Sequence, residues 1–113
     1  MLEVAVKAAD SKRAEDIIGL DVQKVSLLAD YFVICSGNSD RQVSAIVEAI
    51  VEEETKNGAQ IKRVEGKDSG KWVLIDLGDI VVHVFHHSER EFYNLEKLWS
   101  DAPLVNLSSL VDA

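Results

Sequence analysis

The amino-acid sequence predicts an α+β (α/β) domain, a mixed five-stranded sheet with helices packed on one face. Three observations carry this expectation. Val43, Ile46, Val47, Ile50 and Val51 recur at the spacing of one helix face. The apolar-rich runs 72–77 and 80–85 flank Gly78-Asp79, a two-residue connection favoured in tight antiparallel hairpins. The segments follow one another as α β β α β β β α, helices interspersed among strands.

Taken in order, Leu2 to Ala9 is rich in alanine and valine and reads as a short helix. After the polar stretch from Ser11 to Asp16, Ile17 to Val22 reads as a strand weakened by Gly19. Tyr31 to Ser36 is aromatic and β-branched, a stronger strand that stops at Gly37-Asn38. Ser39 and Gln42 have capping-box spacing and open the central helix, whose Glu48, Glu52, Glu53 and Glu54 fall largely off the apolar stripe. Asn57-Gly58 ends it. Ile61 to Glu65 alternates as a third strand, and Gly66 to Lys71 makes a polar turn into the hairpin. Ser88 with Glu91 repeats the capping spacing and opens a last helix through Trp99, with Phe92, Leu95 and Leu98 inward. Pro103 closes it, and the tail 103–113 is expected to pack or fray. All 113 residues form one domain in this reading, with its core at about 14–102.

Composition narrows the class. No apolar run approaches the roughly 18 residues of a bilayer span, and the N-terminus has neither a basic region before a long apolar stretch nor an arginine-rich transit character. The lone cysteine, Cys35, rules out an intramolecular disulfide and fits a reducing compartment. A cytoplasmic protein without membrane attachment is the expectation. Twenty acidic residues against twelve basic ones give a net charge of −8. Such a surface repels phosphate backbones, so no direct sequence-specific nucleic-acid binding is expected. It suits a basic partner, or serves solubility alone.

The hairpin fixes which residues share a face. A two-residue turn sets Leu77 opposite Ile80, Ile75 opposite Val82 and Val73 opposite Val84, a wholly aliphatic set that belongs under the helices. The other face sets Trp72 opposite Phe85, Leu74 opposite His83 and Asp76 opposite Val81. Aromatic, aliphatic and charged groups together suit a docking surface. The competing reading is a second hydrophobic layer covered by the N-terminal helix or the tail.

No catalytic constellation emerges. His83, His86 and His87 invite a metal, but adjacent His86 and His87 in a strand would point to opposite faces, and no cysteine lies near. Asp76 and Asp79 bracket a turn, where aspartate is common. Ser36-Gly37-Asn38-Ser39 before a helix suits an anion less than it suits capping, and the phosphate-loop pattern is absent. Mid-strand Cys35 reads as a small buried hydrophobe. Neither a cofactor nor a metal is expected.

The succession ADYFVICSGNSDRQV, RVEG, WVLIDLGDIVVHVF and EREFYNLEKLWSDA resembles the Iojap-like ribosomal silencing factors, known in bacteria as RsfS, over about Ala14 to Ala102. Asp30-Tyr31, Gly37, Glu65-Gly66, Trp72 and Tyr93 through Trp99 fall in register with that family. The resemblance implies a nucleotidyltransferase-like topology without the catalytic carboxylates, since no Asp-x-Asp pair follows the Ser36-Gly37 turn. It implies a non-enzyme that binds the large ribosomal subunit through its fourteenth large-subunit protein, blocks joining of the small subunit and represses translation when nutrients are scarce. Trp72, Leu74 and Asp76 would centre that contact, with Glu65 and Glu96 as an acidic rim. The four glutamates of the central helix would face the small subunit and repel its RNA, or form a solvated helix face. The alternatives are a degenerate nucleotidyltransferase-like enzyme or nucleotide-binding protein, and a homodimer built on the same sheet face.

Overall fold

Alanine and valine at 5, 6, 8 and 9 give the first helix, α1 (Leu2–Ser11), one small-residue face that is wholly buried. β1 (Glu15–Asp21) and β2 (Tyr31–Gly37) then pair antiparallel. Ser39 caps α2 (Asp40–Lys56): its side chain accepts from the Gln42 N–H at 3.1 Å, while the Gln42 amide oxygen accepts from the Asn38 N–H. β3 (Arg63–Glu65), β4 (Trp72–Asp76) and β5 (Ile80–His86) form an antiparallel meander. α3 (His87–Tyr93) and a two-residue strand, β6 (Leu104–Val105), complete the order. The computed structural model describes residues 1–27, 29–94, 97, 101–108 and 110.

Among the described residues six strands lie in the order β3-β4-β5-β2-β1-β6. β2 and β5 run parallel at the centre, joined by the crossover through α2, and every other pairing is antiparallel. One face packs on α1 and α2. Val33, Cys35, Val73, Ile75, Val82 and Val84 meet Val6, Val43, Ile46, Val47 and Ile50 there, all at most 1% exposed. Truncating Ile46 or Ile50 to alanine removes about 2–5 kcal/mol at such sites. The predicted hairpin register holds at each pair from Trp72–Phe85 to Asp76–Val81, and the Leu77 N–H donates to the Ile80 carbonyl across Gly78-Asp79. Gly78 takes φ +92°, which a two-residue turn of this kind requires of its first central residue.

Several boundaries differ from the sequence expectation, each for a local reason. The sheet has six strands rather than five, because part of the tail pairs with β1 at Gly19 and Leu20. β1 starts at Glu15, and its register slips between Glu15 and Ile18, where Asp16 has φ +50°. That bulge twists a strand which β6 covers only in part. α3 is capped by His86, not Ser88: His86 Nδ1 accepts from the Ser88 N–H at 3.3 Å. It ends at Tyr93 because Asn94 is left-handed, at φ +46°. The inward side chains expected at Phe92, Leu95 and Leu98, and the expected end at Trp99, lie outside what is described.

Candidate functional site

The second face of the sheet carries its own apolar layer. Leu20, Val22, Ala29, Phe32, Ile34, Phe85 and Ala102 are buried together, with Ile18, Trp72 and Val81 half-buried around them. The second hydrophobic layer, the competing reading in the sequence, is therefore present on this face. Phe85 and His83 belong to the layer, at 0% and 6% exposed. Trp72, Leu74 and Asp76 on β4 form its half-buried margin toward the sheet edge.

Trp72 is held on three sides. Its ring stacks on Phe85 with centroids 5.2 Å apart and planes 26° from parallel. Its indole Nε1–H donates to His83 Nδ1 at 3.1 Å. Its carbonyl lies against Gly66, where an added Cβ would sit 2.1 Å from that oxygen, at φ +84°. The Glu65-Gly66 pair thus has a steric reason: only glycine lets the β3–β4 turn close on Trp72. Phe32 meets the His83 ring edge-on at 5.1 Å. Burial among these rings holds His83 neutral, its pKa pushed down from 6.5 to about 4.

The acidic groups are less free than the sequence implies. Arg63, opposite Asp76 in the ladder, reaches Asp76 Oδ2 at 3.4 Å and Glu65 Oε1 at 3.3 Å. Asp76 Oδ1 also accepts from the Gly78 N–H at 2.9 Å, which ties the carboxylate to the hairpin turn. Glu65 is the more exposed of the two, and Glu96 lies outside the described residues. Arg63 escaped the sequence reading, though its place one residue before Val64 in an alternating strand put it on the margin's side. In the sequence His83 stands as Leu74's opposite number and as one of three histidines that invite a metal. The register also makes it diagonal to Trp72, within reach of a long aromatic.

The remaining candidates resolve as structural. Cys35 is buried and its thiol is pushed up to about 12 by desolvation, which leaves it a poor nucleophile. The strand ends at His86, so His86 and His87 do not diverge; their rings stack at 4.9 Å. Among the described residues no three His, Cys, Asp or Glu side chains gather as a metal site. Ser36 is engaged by Arg90, whose Nη1 donates to Ser36 Oγ at 3.3 Å and to the Glu15 carbonyl at 3.2 Å. On α2, Glu48, Glu52 and Glu53 line a groove against Lys7 of α1 and Lys12 just beyond its end, and Lys56 pairs with Glu52 and Glu53. Glu54 departs from that solvated set. It is 1% exposed, with no hydrogen-bond partner on either oxygen among the described residues, and burial raises its pKa.

A mixed sheet backed by two helices is shared with solved proteins and defines the class. A crystal structure from Bacillus halodurans superposes with a TM-score of 0.84 at 51% identity, covering 94% of this chain and 96% of that one. One from Chromobacterium violaceum gives 0.86 at 36% identity, covering 88% and 82%. The family model described as "Ribosomal silencing factor during starvation", RsfS, matches residues 1–113, and the chain belongs to that family. The ribosomal silencing factor RsfS of Bacillus subtilis is 59% identical over 107 residues, covering 95% of this chain and 91% of the relative. The chloroplastic protein Iojap of Zea mays is 33% identical over 101 residues, covering 89% of this chain and 44% of its own length. No described helix is long and apolar enough to cross a membrane.

Proposed function

We propose that the chain silences ribosomes in the cytoplasm by occupying the large subunit at its fourteenth large-subunit protein and excluding the small subunit by bulk, without catalysis. The observation that carries this reading is Trp72: a half-buried indole fixed on a sheet margin, beside Leu74 and the Arg63-bridged pair Glu65 and Asp76. Large aromatics at the centre of a polar-edged patch dominate interface energies. Trp72, Leu74 and Asp76 form the contact in this account, with Glu65 and Glu96 at its rim, and the net charge of −8 favours a basic protein partner.

The opposite, helical side faces the small subunit. Glu48, Glu52 and Glu53 line the groove there and contribute its negative charge, whereas buried Glu54 does not. Co-sedimentation with separated ribosomal subunits tests the proposal. The chain is expected to pellet with the large subunit and stay in solution with the small one; pelleting with the small subunit alone, or with neither, overturns it.

A further inference from the structure

The indole N–H is the one polar group of a tryptophan side chain, and on a half-exposed ring it is commonly left for solvent or a partner. At Trp72 it is engaged inside the sheet by His83 Nδ1, from the diagonal position on β5. His83 has little freedom to move: it is 6% exposed, flanked by Ile34 in the neighbouring parallel strand, with Phe32 edge-on against its ring. Since Nδ1 accepts, the ring proton resides on Nε2, and that atom is buried with no hydrogen-bond partner among the described residues. An aliphatic residue at position 83 would pack in the same layer without leaving a polar atom unpaired. The imidazole stands where it reaches the tryptophan nitrogen.

We propose that His83 is a positioning residue for the docking face. It fixes the Trp72 ring in one orientation and occupies its nitrogen, so that the partner meets the indole through its ring face and not through a hydrogen bond to the N–H. The inference rests on the docking reading above. It deepens that reading by naming what prepares the contact and what chemistry the partner brings: aliphatic or cationic side chains laid on an aromatic face.

The test uses the full chain, labelled with nitrogen-15, and isolated large ribosomal subunits as the probe. In the wild type, the assigned Trp72 indole N–H is expected to exchange with solvent at least about fivefold more slowly than a free indole, as an internal hydrogen bond of about 1 kcal/mol or more requires. His83→Phe keeps an aromatic ring but removes the acceptor; it should lose that protection and bind large subunits about fivefold more weakly. His83→Asn, whose Oδ1 stands near the place of Nδ1, should restore both. An unprotected wild-type indole overturns the proposal even if His83→Phe fails to fold. So does a folded His83→Phe variant with wild-type binding, or a His83→Asn variant that binds no better than His83→Phe. If Trp72→Ala itself leaves binding unchanged, the docking reading falls. If Trp72→Ala abolishes binding and His83→Phe does not weaken it, only the positioning role falls.

Discussion

Replacing Glu54 with leucine should stabilise the protein at neutral pH. Glu54 sits on the inner side of α2, 1% exposed, with neither carboxyl oxygen hydrogen-bonded among the described residues. A buried polar group without a partner costs about 1–3 kcal/mol, and leucine of similar length replaces it with apolar contact. Desolvation raises the folded-state pKa above the unfolded value of 4.5. The sign follows from linkage: below pH 4.5 both states carry the proton, and as pH rises the unfolded chain ionises first. Stability is therefore lost progressively from pH 4.5 upward through the folded pKa in the wild type, and this loss is absent from the variant. Other carboxylates titrate in both proteins, so the difference between the two is the informative quantity. Urea unfolding followed by circular dichroism between pH 4 and 8 should show a gap that widens with pH, reaching about 2 kcal/mol at neutrality. In melting temperature this is roughly 8 °C for a domain of this size. A gap that stays flat across the range, or a less stable variant at pH 7, refutes the reasoning.

Gly66→Ala should destabilise by about 2 kcal/mol or more, because the new Cβ meets the Trp72 carbonyl oxygen, whereas Gly58→Ala, at a similar φ of +86° with open space around it, should cost about 1 kcal/mol. Equal losses in paired urea titrations would remove the carbonyl contact as the cause. His83 contributes stability that is complete above its unfolded pKa of 6.5 and is lost as pH falls toward about 4, up to about 3 kcal/mol in all. Acid unfolding of the wild type beside His83→Asn should separate over that window, and coincident curves would contradict it. Association with large subunits should slow as ionic strength rises, and Glu65→Lys should slow it a few-fold with little effect on folding. Stopped-flow rates indifferent to salt would count against electrostatic steering.

What the sequence made legible is what local spacing encodes. The Gly78-Asp79 turn determines the register of β4 and β5, and with it the face shared by Trp72, Leu74 and Asp76. The α2 stripe has the same quality, since Val43, Ile46, Val47 and Ile50 are all buried as the period requires. That same period reaches Glu54, four residues beyond Ile50, but its carboxylate reads as solvent-facing until the burial is seen. Non-local features left no such signal. The parallel pairing of β2 with β5 joins segments separated by the whole of α2, β3 and β4. β6 has two residues, too few to show alternation. The Trp72 margin was legible as a face but not as a geometry: that Arg63 bridges Glu65 and Asp76, and that His83 grips Trp72, depends on side chains meeting across three strands.

The proposed silencing role requires that the chain block subunit joining by occupying one site through the Trp72 margin. Light scattering can follow joining of small subunits to large subunits pre-incubated with increasing amounts of the protein. Inhibition should rise linearly and saturate at one copy per large subunit. Truncating an interface aromatic costs roughly 2 kcal/mol or more, so Trp72→Ala, shown to be folded by circular dichroism, should need about thirtyfold more protein. Full inhibition at strongly sub-stoichiometric protein would contradict the account in favour of a catalytic or modifying activity. An unchanged dose response for Trp72→Ala would place the contact elsewhere on the molecule.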